Sequence, residues 1–237
     1  MASLKHDPAV LIAGIGEGFG LSLAKAFAAA GYDVIGLSRS GRADAAAAAL
    51  TAARGRSYVS LTCDVAVDGA VAHALAPHAW RIDVAIYNAH HFLFAPFLEI
   101  GAGAFAQALA VNCEGAVSVA RALLPAMLAR ERGTLIMTGA TAARRATAGF
   151  AALAASKFAL RAVAQSLARE FGAKGIHVAH IIVDGLIDEP QTRLRFPDRR
   201  GAMIDGDELA AAYLSIVRQP PGVWTHELDL RPCGERF

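Results

Sequence analysis

The chain has 237 residues, of which 55% are hydrophobic and 19% charged, and its formal net charge is +2. This composition excludes a disordered chain, and the small charge, with no basic runs, argues against a dedicated binder of nucleic acid or of a membrane surface. Cys63, Cys113 and Cys233 are too scattered for a zinc spacing, so no metal is expected, and free thiols suit a reducing cytoplasm. The N-terminus lacks a signal pattern and the Ala-rich stretches are interrupted before membrane-spanning length, so a soluble, cytoplasmic protein is expected.

Short apolar runs alternate with helical patterns. Residues 9–14 read as a buried strand ended by glycines, and 20–31 as a helix with Leu21, Ala24, Phe27 and Ala28 on one face and Gly31 at its end. A second strand spans 33–38, an Ala-rich helix 43–53, a third strand 57–64 and a fourth 83–89. One long helix is expected over 103–130, then a strand at 133–139, a helix from about 150 to 171 and a strand at 175–185. A polar, Pro- and Arg-rich loop covers 188–205. A helix at 207–217, capped by Asp205 or Asp207, and a strand at 225–230 close the chain. Repeated β-α-β units with buried strands predict an α/β fold: a Rossmann-like, doubly wound parallel sheet with helices on both faces. No linker or composition break divides 1–237, so a single domain is expected.

The stretch "GIGEGFG" joins the first strand to the first helix, with Gly14, Gly18 and Gly20 in a G-x-x-x-G-x-G spacing. Bare backbone and a helix N-terminus at this junction suit the pyrophosphate of a dinucleotide. The second strand ends in "GLSRS". NAD users of this fold place a carboxylate there, whereas an arginine suits the 2′-phosphate of NADP. Ser38 holds the acidic position and Arg39 follows, with Arg42 near, so NADP is favoured over NAD; Glu17 counts slightly against it.

Together these features resemble the short-chain dehydrogenase/reductase family over nearly the whole chain. The loop from Gly14 through Phe19 to Gly20 matches that family's glycine loop. "CDV" puts Asp64 where the family has an Asp beside the adenine. "YNAH" keeps Asn88 and Ala89 of the family's Asn-Asn-Ala-Gly, with His90 in place of the glycine. The resemblance implies that Asn112 is the family's helix asparagine, which helps form a proton relay. It implies that Lys157 is the lysine of Tyr-x-x-x-Lys, which also bonds the nicotinamide ribose, and that Gly185 is the glycine after the sixth strand. It further implies an NADP(H)-dependent oxidoreductase acting on an unknown small molecule as a homodimer or homotetramer. The helices at 103–130 and 150–171 would supply the shared face.

The same resemblance exposes a departure. Leu153 stands where Tyr-x-x-x-Lys has its tyrosine, and the serine position falls at about Ala140. Neither residue can donate a proton, and losing a general acid typically costs about 10²–10⁴ in rate. Substitutes within reach are Thr138 or Thr141, His90 or His91, and Asp184 in place of the family's proline; each also has an ordinary structural reading. Three functions therefore stay open: an oxidoreductase with a relocated acid, a dinucleotide-binding protein without turnover, and a lyase or isomerase on the same fold. The arginines of 188–205 suggest an acidic substrate or only a solvated lid.

Overall fold

Ala9–Ala13 is a run of five apolar residues, all buried, and forms strand β1. Runs buried on both faces belong in the interior of a parallel sheet. The computed structural model describes residues 7–234, without the side chains of 200–202. The signal-free reading of residues 1–6 and the side chain of Arg200 in the 188–205 loop lie outside the described residues.

The chain continues through α1 (Phe19–Ala29), β2 (Asp33–Ser38), α2 (Asp44–Ala52), β3 (Tyr58–Thr62), α3 (Ala70–Leu75) and β4 (Ile82–Tyr87). It then runs through α4 (Ala102–Leu109), α5 (Gly115–Ala129), β5 (Gly133–Thr138), α6 (Ala151–Phe171) and β6 (Ile176–Val183). The last part holds β7 (Leu186–Ile187), α7 (Pro190–Arg195), β8 (Met203–Ile204), α8 (Gly206–Val217) and β9 (Glu227–Leu230). Among the described residues the main sheet has seven strands in the order β3-β2-β1-β4-β5-β6-β9, each parallel to its neighbours. This is the expected Rossmann-like doubly wound sheet.

Alternate strand residues feed two cores. Leu11, Ala85 and Leu135 pack under α3, α5 and α6. Val10, Ile12 and Ile86 pack under α1, α2 and α8, with Phe27 and Tyr213 among the largest fully buried side chains. Asp205 is the cap of α8: its carboxylate accepts from the backbone N–H groups of Asp207 and Glu208, satisfying two donors that the helix leaves free. No described helix is long and apolar enough to cross a membrane.

The structure corrects some elements. The helix expected over 103–130 is divided: a π-helical segment, Ala110–Glu114, separates α4 from α5. There the Tyr87 hydroxyl donates to the Val111 carbonyl, and the Asn112 side chain is drawn to the backbone of His91, so this turn has partners outside the helix. The short helix α3 has no counterpart in the sequence reading. The 188–205 loop is also more ordered than expected: β7 pairs with β8, and Pro190 opens α7 at a position where its missing N–H costs nothing.

Candidate functional site

The strand order reverses between β1 and β4, and in open α/β sheets ligands bind outside the strand ends at such a switch point. A cleft of about 300 Å³ lies there, lined by the glycine loop, by Ser38, Arg39 and Arg42 after β2, by Asp64 after β3 and by Asn88 to His90 after β4. Gly14 has φ +91, and a Cβ there would lie 2.3 Å from the Ala89 nitrogen. Only glycine permits both the angle and that approach. The Asn88 side chain ties the two loops by donating to the Gly14 carbonyl at 3.2 Å. At Gly16 a Cβ would meet nothing within 4 Å, so the loop is bare on that side. Phe19 begins α1, Gly20 is buried in its first turn, and Gly18 in the cap position has no side chain to cap it. The arrangement fits a dinucleotide: exposed backbone and a helix N-terminus for a pyrophosphate, with a longer groove toward the end of β2.

At that end the Ser38 hydroxyl accepts from the Gly41 N–H at 3.0 Å and fixes the turn. Arg39 and Arg42 are exposed and line the cleft. The Asp64 carboxylate accepts from the Ala66 N–H at 3.0 Å, which holds Val65 against the cleft wall.

At the other end the polar candidates are heavily committed. Lys157 is buried on α6 and donates to the Thr138 carbonyl at 2.8 Å; burial pushes its amine down to about 8. Leu153, one helical turn earlier, is buried as well. Ala140 follows β5 in extended backbone. The Asn112 amide is used on both sides: its oxygen accepts from the His91 N–H at 2.7 Å, and its nitrogen donates to the His91 carbonyl at 3.1 Å and the Ser156 hydroxyl at 2.9 Å. It clamps the loop that carries His90.

The His90 side chain is exposed and opens onto the cleft, with neighbouring protein atoms limiting the hydration of its ring. Desolvation first, and then the Lys157 ammonium, push its imidazole down to about 4, so it is neutral near pH 7. Thr141 donates its hydroxyl to Asp184 at 2.5 Å, and Arg231 approaches the same carboxylate at 3.5 Å.

The structure thus gathers Gly14, Gly18, Phe19, Gly20, Ser38, Arg39, Asp64, Asn88, Ala89 and His90 around one cleft. Asn112, Lys157 and Thr141 do not line it. Gly185 does not line it, and a Cβ there would meet Pro232 Cδ at 2.9 Å. Sequence reasoning missed Glu189, whose carboxylate accepts from the Phe19 N–H at 3.3 Å across the cleft. No local pattern signals a contact between residues so far apart in the chain.

Known proteins share this architecture. The 1-deoxy-11-beta-hydroxypentalenate dehydrogenase of Streptomyces exfoliatus is 35% identical over 192 residues, which cover 78% of this chain and 69% of that one. The crystal structure of a short-chain dehydrogenase from Rhodopseudomonas palustris superposes with a TM-score of 0.83 at 33% identity, covering 96% of this chain and all of that one (100%). A metagenomic short-chain oxidoreductase solved in complex with NADP gives a TM-score of 0.82 at 26% identity, over 99% of this chain and 100% of that one. Residues 8–196 match the family model for short chain dehydrogenase, and the chain belongs to that family.

Proposed function

We propose that this protein binds NADP(H) and acts as an oxidoreductase on a carbonyl or alcohol without the usual Ser–Tyr pair. The carrying observation is the cleft at the switch point. Its glycine loop suits a pyrophosphate, and its β2 end offers Arg39 and Arg42, with no carboxylate at Ser38. A guanidinium pairs bidentately with phosphate, so these residues hold the 2′-phosphate while Asp64 and Val65 border the adenine. When bound, the dinucleotide supplies or accepts the hydride. Toward it, Asn88 and Ala89 shape the wall, Lys157 serves the ribose hydroxyls and Asn112 fixes the loop of His90.

Proton supply is the unusual part. Leu153 and Ala140 cannot serve, and His90 is neutral near pH 7. The Lys157 amine, held near 8, carries a proton at neutral pH. The apolar pair also supports a second reading, a dinucleotide-binding protein that turns nothing over. Titration with NADPH and NADH tests the binding half. Single-turnover loss of NADPH against a panel of carbonyls decides between the two readings, since a silent binder shows none.

A further inference from the structure

The glycine loop contains an anion of its own. The Glu189 Oε2 atom accepts from the Phe19 N–H, the first N–H of α1, at 3.3 Å. A Cβ at Gly18 would lie 2.1 Å from that oxygen and 2.5 Å from the Glu189 Cβ, so the side chain lies flat on bare glycine backbone. Glu189, Pro190 and Gln191 line the same cleft as the loop. Glu189 stands at the N-cap position of α7 but does not cap that helix; its carboxylate crosses to the end of another. We propose that Glu189 is an internal competitor for the pyrophosphate seat, which holds the 186–204 segment against the glycine loop and must leave when a dinucleotide enters.

Glu189 and a pyrophosphate would share donors and carry like charge. A helix N-terminus favours one anion at its free N–H groups, and a second anion at the same donor repels the first in a poorly solvated cleft. The segment is built to move as a unit. β7 pairs with β8, the Asp188 N–H donates to the Ile204 carbonyl at 2.8 Å, and Arg193 pairs with the Asp188 carboxylate. The Arg193 N–H donates to the Glu189 carbonyl at 2.9 Å, so the carboxylate and α7 shift together. Apparent affinity then equals intrinsic affinity multiplied by the fraction of molecules in the open state.

This inference rests on the dinucleotide reading, and its test separates the two. NADPH is titrated into wild type, Glu189→Ala and Glu189→Gln. Trypsin cleavage after Arg193 and Arg195 is followed in the ligand-free proteins. With the open state at about a tenth of the population, Glu189→Ala binds NADPH roughly 10-fold more tightly than wild type. Glu189→Gln lies between them, and the ligand-free Ala variant is cut faster within 186–204. Equal NADPH affinity in wild type and a folded Glu189→Ala variant overturns the inference and leaves the dinucleotide reading standing. No NADPH bound by either protein overturns the dinucleotide reading and the competition with it, even where the variant is cut faster. Equal cleavage rates show that Glu189 holds nothing closed and overturn the latch.

Discussion

Replacing Ala140 by Ser and Leu153 by Tyr tests whether the reacting end lacks only its acid. The double variant places a phenol one helical turn before Lys157, on the same face of α6. A phenol ionises near ~10 in water, and a neighbouring ammonium lowers that value. Lys157, held at about 8, is roughly nine-tenths charged at pH 7 and can provide that field. A general acid contributes about 10²–10⁴ in rate, so turnover of a small diketone should rise at least ~10²-fold. Leu153→Tyr alone should recover part of this and Ala140→Ser little, because the two act as a unit. The cost lies in packing: Leu153 is 7% exposed, and overpacking typically destabilises by about 1–3 kcal/mol. NADPH oxidation followed by absorbance, with a thermal melt and an NADPH titration on the same sample, is the assay. A variant that folds, binds NADPH and stays inert refutes the reasoning, since the pocket then lacks more than its acid.

Arg39→Ala should remove most of the preference for NADPH over NADH, by about 10-fold or more, as expected for loss of a charged hydrogen bond to the 2′-phosphate; parallel fluorescence titrations read it directly. Burial pushes His180 down to about 4 from an ordinary 6.5, although Glu227 opposes the shift. Between those values the unfolded chain binds the proton and the folded one does not, so stability should fall by up to roughly 3 kcal/mol as pH drops through that window, and His180→Leu should flatten the fall in denaturant titrations. His90 shifts the same way but opens to water, so its share is smaller. Thr141→Val should destabilise by about 1.5–3 kcal/mol through loss of the bond to Asp184, with no change in single-turnover rate; a lost rate, restored by Thr141→Ser, would instead make this hydroxyl the missing donor.

The sheet and the glycine loop at its first βα junction were legible in the sequence because their signals are local. A continuous apolar run such as Ala9–Ala13 marks a doubly covered strand, and glycines at one βα junction mark a backbone that something approaches closely. Features that arise from contacts distant in sequence left no such signal. Asn112 breaks the α4–α5 helix through His91, Thr141 meets Asp184, and Glu189 reaches Phe19, each across tens of residues or more. The helix α3 is only six residues long and is entered through Gly69 at φ +72, too short for a helical period to show.

The two ends of the cleft differ in how far their polar groups are committed to the protein itself. At one end the glycine loop, the start of α1 and two exposed arginines line the cleft, and the Glu189 carboxylate accepts from the first N–H of α1. At the reacting end each polar group is spent on the protein itself. Thr141 would have to abandon a buried carboxylate to serve a substrate, leaving Asp184 with Arg231 at 3.5 Å. Asn112 would have to release the His91 backbone. His90 could donate only as a neutral imidazole, the weaker acid. Lys157 differs: among the described residues it bonds one backbone carbonyl and no carboxylate, and burial has brought its amine within a unit or so of neutrality. A charged ammonium has protons to spare. If the protein turns a carbonyl over unaided, the proton therefore comes through Lys157, and the rate should follow its ionisation, falling as pH rises through about 8.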